Sequence, residues 1–261
     1  MKKLTLMNMS VALFAVLMLA IPARAQNFSN GGFESGDTSG WTQGGGYWYG
    51  GWPMNPSTYL PGGANYDPSG TAITVVSPSI DPYSGLKMVY NGNYSARVND
   101  DNNNYSVSVL SQTVHNYTDP KIYFAWAAVL EGSHGLTDSD NFTLQLTDDT
   151  KGTDLYDVSY NSASAAGTSL FNDTYTWWSG DVFWTPWQIE KLDVSADSGD
   201  TLTLTLLASD CPYGGHWGYV YLDGFGAAPP PPTTTPEPDS FLLLGTGMLG
   251  LAGLMLRKVL A

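Results

Sequence analysis

An all-β fold, a single antiparallel β-sandwich over residues 26–227, is what the sequence predicts, and three observations predict it. β-Branched and aromatic residues alternate with polar ones in run after run, the period of a strand with one buried face. Clusters of Gly, Asn, Asp, Ser and Pro cut these runs into short pieces. Helical periodicity is nearly absent, so nothing is available to cover a parallel sheet. Strands of this kind pair antiparallel and pack sheet on sheet.

In chain order the strand segments are TAITVV, YSARVN, YSVSVLSQTV, KIYFAWAAVL, NFTLQLTD, DLYDVSY, WQIEKLDVS, TLTLTLLA and WGYVYLD. KIYFAWAAVL is apolar at consecutive positions, which places it at a sheet centre with both faces covered. No internal repeat interrupts the series. Aromatic residues make up 13% of the chain and supply a core of adequate size. Cys211 is the only cysteine, so packing or bound metal must do what disulfides do in other exported domains.

Between residues 26 and 235, five basic residues stand against 22 acidic ones, a formal charge of −17. That balance excludes nucleic acid as a partner, because affinity for phosphates comes from cations. It suits divalent metal or neutral sugars, and it also suits plain solubility outside the cell.

Both ends carry targeting signals. Lys2 and Lys3 precede an apolar run from Val11 to Ile21, and Ala23-Arg24-Ala25 gives the small-x-small pattern of a signal peptidase site. Residues 1–25 are therefore a signal peptide. At the other end a Pro/Thr linker, residues 228–235, leads to an uncharged apolar stretch from Phe241 to Leu256, closed by Arg257 and Lys258. A helix of that length rises about 24 Å, a short transmembrane helix whose basic stop holds the C-terminus in the cytoplasm.

Pro236-Glu237-Pro238, the Gly/Leu-rich segment and Arg257-Lys258 occur in the order of a PEP-CTERM sorting signal, and residues 236–261 resemble one. The resemblance implies an exosortase partner in the inner membrane of a Gram-negative bacterium. It implies a transient membrane tether, cleavage near Pro236–Pro238, and delivery to the envelope, outer surface or extracellular matrix.

The body resembles known domains too. NFSNGGFESGDTSGW at its start and GYVYLDGF at its end are similar to the first and last strands of galactose-binding-like and carbohydrate-binding-module jelly rolls. Residues 86–226 resemble an uncharacterised domain of bacterial surface and adhesin-like proteins, through FAWAAVLEGSHG and SDCPYGGHWGYVYLDGF. Many of those relatives carry a second cysteine where this chain has Gly224-Phe225-Gly226, which leaves Cys211 a buried free thiol. The jelly roll these resemblances imply makes the opening and closing strands neighbours. Glu34 and Asp223 then become a candidate pair for a structural calcium ion, which takes hard oxygen ligands.

Two further groups of residues are candidates for function. In GGGYWYGGWP, the rings of Tyr47, Trp48, Tyr49 and Trp52 crowd between glycines and are predicted to stack on a polysaccharide ligand, or else to close one end of the sandwich. A second aromatic group comprises Tyr175–Trp178 with Trp184 and Trp187. Glu131, His134, Asp210, Cys211 and His216 lie in two loops expected to meet. They form a metal site, an acid/base pair or a hydrogen-bonded structural cluster. The expected function is non-catalytic polysaccharide binding at the cell surface. The alternatives are a polysaccharide hydrolase or lyase working through Glu131, His134 and His216, and an adhesin for surface proteins.

Overall fold

The structure, a computed structural model, describes residues 27–226 and residue 228. The predicted signal peptide, residues 1–25, and the predicted sorting signal with its transmembrane helix, residues 236–261, lie outside the described residues. Among the described residues no helix is long and apolar enough to cross a membrane.

Twelve strands follow in chain order: β1 Thr42–Tyr47, β2 Ile73–Val76, β3 Ser95–Val98, β4 Ser106–Val114, β5 Lys121–Glu131, β6 Asn141–Asp148, β7 Thr153–Asn161, β8 Asn172–Thr176, β9 Gly180–Trp184, β10 Gln188–Asp193, β11 Leu202–Ser209 and β12 Gly218–Gly226. All nine segments read as strands are strands. They form two antiparallel sheets, one ordered β1-β4-β11-β6-β7 and the other β2-β3-β12-β5-β9-β8, with β10 also paired to β5. Successive strands β3, β4, β5 and β6 alternate between the sheets, as do β10, β11 and β12. This is the sandwich of jelly-roll kind that the sequence predicts.

The alternating side chains explain the core. Leu206 of β11 stands between Leu110 of β4 and Leu144 of β6, and the neighbouring apolar positions face the same way. Opposite them, Phe124, Trp126 and Leu130 of β5 and Val220 and Leu222 of β12 close the space between sheets. β5 lies inside its sheet, between β12 on one side and β10 and β9 on the other.

Its second face is covered by a strap, residues 77–90. Tyr83, Leu86 and Met88 of this strap pack on a cluster built from Ala127, Val129, Tyr219 and Tyr221. Buried Asp81 pins the strap: its Oδ2 accepts from the Tyr219 hydroxyl at 2.6 Å and the Tyr221 hydroxyl at 2.8 Å. Its Oδ1 accepts from the amides of Tyr83 and Ser84 and from the Ser84 hydroxyl.

Two expectations are corrected. The opening segment is no strand: residues 27–41 run as successive turns, with Asn30, Phe33, Gly36 and Gly40 at positive φ. Phe28, Phe33 and Trp41 still enter the core, where Phe28 and Trp41 meet Phe225 of β12 and Phe33 stacks on Trp41. Conversely, the glycine-rich start of GGGYWYGGWP is strand β1, and Tyr175–Trp178 and Trp184 of the second aromatic group lie on the β8–β9 hairpin, while Trp187 precedes β10 and donates to the Lys87 carbonyl.

Candidate functional site

One end of the sandwich gathers most of the residues singled out in the sequence. β5 ends there at Glu131 and β12 begins there at Gly218, held in register by Gly218 opposite Leu130. Beyond the last paired residues the Glu131 amide donates to the Trp217 carbonyl (3.0 Å) and the Trp217 amide returns a bond to Glu131 Oε2 (3.2 Å). Burial pushes the Glu131 carboxyl up to about 7, against the lowering pull of the Trp217 amide and the Ser179 hydroxyl. Ser179 belongs to the β8–β9 turn, so that hairpin tip sits beside Glu131.

The two loops that follow β5 and precede β12 meet. The His134 and His216 rings lie 4.8 Å apart and nearly perpendicular, and His134 also packs edge-on against Tyr213 at 4.9 Å. His216 Nδ1 stands 3.6 Å from Cys211 Sγ. Burial lowers the His216 pKa, with the neighbouring His134 adding to the effect, so the imidazole is neutral at pH 7. Cys211 is a buried free thiol, as the sequence implies.

Asp210 does not join this cluster. Its carboxylate accepts from Asn99 Nδ2 (2.9 Å) and from the Ser106 amide (2.9 Å) and hydroxyl (3.0 Å), with the Asn104 amide at 3.2 Å. Asn99 Nδ2 also donates to the Gly218 carbonyl at 2.9 Å. Asp210 thus ties the 99–106 connection to the start of β12 and is a structural knot.

The aromatic loop divides. Trp48 is only 3% exposed and forms a small core on the outer face of the five-stranded sheet, with Met54, Tyr59, Val107, Val109 and Leu207. Its assignment as a ligand-stacking ring is corrected: the indole face is spent on the protein. Tyr47 and Trp52 are half-buried. Tyr49 is 76% exposed and pairs with Tyr105 at 5.5 Å. Tyr105 in turn lies against Gly214, whose Cβ position would fall within 2.8 Å of that ring.

The hairpin tip carries the largest exposed rings. Trp177 is 82% exposed, Trp178 and Tyr175 are exposed with it, and the two indoles meet edge to face at 5.2 Å. Exposed Tyr213 packs on His134, and exposed Tyr49 reaches the Gly214 turn through Tyr105, so the five rings form an aromatic crown at this end of the sandwich. The sequence shows the YTWW group without assigning it a role. Its composition was visible, whereas its place at the end of β5 follows only from the pairing of β9 with residues 129–131.

At the other end of β12, Glu34 and Asp223 grip the same turn. Asp223 Oδ2 accepts from the amides of Tyr90 (3.0 Å) and Asn91 (2.9 Å), while the exposed Glu34 carboxylate accepts from the amides of Asn93 and Tyr94 and from Asn93 Nδ2. Burial pushes Asp223 up to about 7, and Glu34 adds its repulsion. An acidic trio, Asp148, Asp197 and Asp200, encloses the Lys151 ammonium at 3.2, 2.6 and 2.7 Å. That cation fills the space between the three carboxylates.

The fold and its crowned end define an antiparallel β-sandwich with an aromatic surface at one end, and comparison with known proteins adds an address. Residues 234–258 match the family described as the PEP-CTERM protein-sorting motif, so the chain carries that sorting signal. No curated protein matches the chain. Among solved structures, the sandwich is similar to TmCBM61 in complex with β-1,4-galactotriose (19% identity, 76% of this chain and 98% of that one, TM-score 0.38). It is also similar to CBM28, a carbohydrate-binding module specific for non-crystalline cellulose (14% identity, 78% and 93%, TM-score 0.38). A third is the K1 cleaved adhesin domain of Lys-gingipain from Porphyromonas gingivalis W83 (10% identity, 75% and 94%, TM-score 0.35).

Proposed function

We propose that the protein is exported, delivered to the cell surface or extracellular matrix through exosortase processing at its sorting motif, and binds polysaccharide there without catalysis. The observation that carries the binding reading is the crown: Tyr49, Tyr175, Trp177, Trp178 and Tyr213, all exposed. A large aromatic ring held in water on a folded domain marks a contact surface. Sugar rings suit it, because their C–H faces pack on π systems while their hydroxyls reach nearby polar groups. The formal charge of −17 over residues 26–235 selects neutral glycans over polyanions. Each stack contributes about 1 kcal/mol beyond the area it buries, so single sites bind weakly and arrays of copies gain by avidity.

Retention of the purified protein on a panel of neutral polysaccharides tests this reading. Replacing Trp177 and Trp178 together with alanine abolishes retention on the cognate glycan and leaves the melting temperature unchanged. Retention that survives the double substitution removes the crown as the binding surface. Appearance of new reducing ends or unsaturated sugars, lost in Glu131→Gln, puts the hydrolase or lyase reading in its place.

We assign calcium to Glu34 and Asp223 in the same reading. Two carboxylates that grip one turn, with Glu34 raising the proton affinity of Asp223, are a hard-oxygen donor set whose mutual repulsion a divalent cation would relieve. Adding calcium to metal-free protein raises the melting temperature, and Asp223→Asn abolishes that rise. An equal rise in wild type and variant discards the pair as the site.

A further inference from the structure

At the same end of the sandwich, one thiol and two imidazoles converge. Cys211 Sγ and a ring nitrogen from each of His134 and His216 all lie within 4.8 Å of one another. We propose that Cys211, His134 and His216 form a zinc site, with three protein ligands and a fourth coordination position open toward solvent.

The distances argue for it first. A sulfur at about 2.3 Å and a nitrogen at about 2.05 Å from a tetrahedral zinc stand about 3.6 Å apart. Cys211 Sγ and His216 Nδ1 are 3.6 Å apart. His134 completes the set: its ring lies 4.8 Å from that of His216, and its exposed position gives it room to turn on its loop.

The scaffold is rigid where a metal needs it. Cys211 and His216 close one tight turn, in which the Cys211 amide donates to the His216 carbonyl (3.0 Å) and the Gly214 amide to the Cys211 carbonyl (3.2 Å). The Gly215 amide points at Cys211 Sγ from 3.4 Å, a donor that favours the thiolate a metal requires. Gly214 takes φ +69° and has the Tyr105 ring where a Cβ would go, so the turn admits no larger residue. Both loops spring from the ends of β5 and β12, which are themselves paired in the middle of a sheet.

The donor set selects the ion. A thiolate with two imidazoles is too soft for calcium or magnesium and suits zinc. Cys211 is fully buried between these rings and has no second cysteine with which to form a disulfide. The exposed side of the cluster is His134, which packs against Tyr213, and the fourth position opens there. A water or a sugar hydroxyl can reach it.

The site is measurable without any glycan, which keeps it separate from the binding reading. The full-length protein is stripped with chelator, saturated with calcium, and titrated with zinc alone against a chromophoric competitor. One equivalent per chain is expected. Cobalt(II) in place of zinc gives a near-ultraviolet thiolate charge-transfer band, and Cys211→Ser abolishes that band. His134→Ala, an exposed position whose loss the fold tolerates, weakens zinc by about 100-fold, at or beyond the usual cost of losing even an outer-shell partner. Absence of stoichiometric zinc overturns the proposal. So does zinc affinity unchanged in both Cys211→Ser and His134→Ala.

Discussion

Trp48→Ala lowers the stability of the domain by about 3–5 kcal/mol, the range for emptying a buried indole. Trp48 closes the small core between β1 and the 54–60 segment, and its Nε1–H donates to the Gly51 carbonyl at 3.2 Å. Truncation leaves a void lined by Met54, Tyr59 and Leu207 and frees a carbonyl acceptor. In a domain of this size that amounts to roughly 10 °C or more in melting temperature. Trp177→Ala, at 82% exposure, stays within about 0.5 kcal/mol of wild type. The pair of melting curves separates the two tryptophan groups cleanly. A small effect at Trp48 would falsify the assignment of that ring to the core.

The metal-free protein becomes less stable as pH rises from about 4 to about 7. Burial pushes Glu131, Asp210 and Asp223 each up to about 7 and raises Asp140, which is fully buried, well above the usual carboxylate range. In the unfolded chain these groups titrate near 4. Between those values the folded state keeps protons that the unfolded state has released, so stability is full below pH 4 and drains away through pH 7. Several surface carboxylates act the other way: hydrogen bonds hold Asp37, Asp67 and Asp193 below their usual value, and they give up stability only under more acid conditions. The expected result is a melting temperature roughly 5 °C or more higher at pH 5 than at pH 8. Glu131→Gln flattens part of that slope. A melting temperature that climbs from pH 5 to pH 8 contradicts the assignment.

Much of the fold was legible because its signal is local. Nine strands announce themselves by alternation, and β5 declares its central place by having no polar face. β1 was hidden for a physical reason. Gly44, Gly45 and Gly46 carry no side chain because the backbones of Tyr59, Thr71 and Asn65 press on them, so the segment reads as a loop. β8 and β9 are short, β9 meets β5 over only three residues and β8 pairs with β9 alone, and neither has a continuous buried face to enforce a pattern.

Within the site, the pairing of the His134 loop with the His216 loop was anticipated from resemblance, and the geometry bears that meeting out. Which ring of Tyr47, Trp48, Tyr49 and Trp52 turns inward depends on Val107, Val109 and Leu207, which arrive from strands far along the chain. Asp210 was grouped with the histidines by proximity in sequence. Its partners Asn99, Asn104 and Ser106 lie more than 100 residues upstream, beyond the reach of any spacing rule.

The position of β12 bears on how the protein assembles. It is the last strand among the described residues, yet it sits between β3 and β5 in the seven-stranded sheet, and the Phe225 amide closes on the Gly31 carbonyl near the first described residues. The sheet therefore has a gap at its middle until residue 226 is present, and the opening turns have nothing to close against. Contacts this distant in sequence form slowly, since the intervening chain must first be gathered in. A chain emerging N-terminus first would reach the sorting motif at residues 234–258 only a few residues after releasing the strand that completes the sandwich. Folding of the domain and arrival of its address are thereby placed within one short stretch of the same passage.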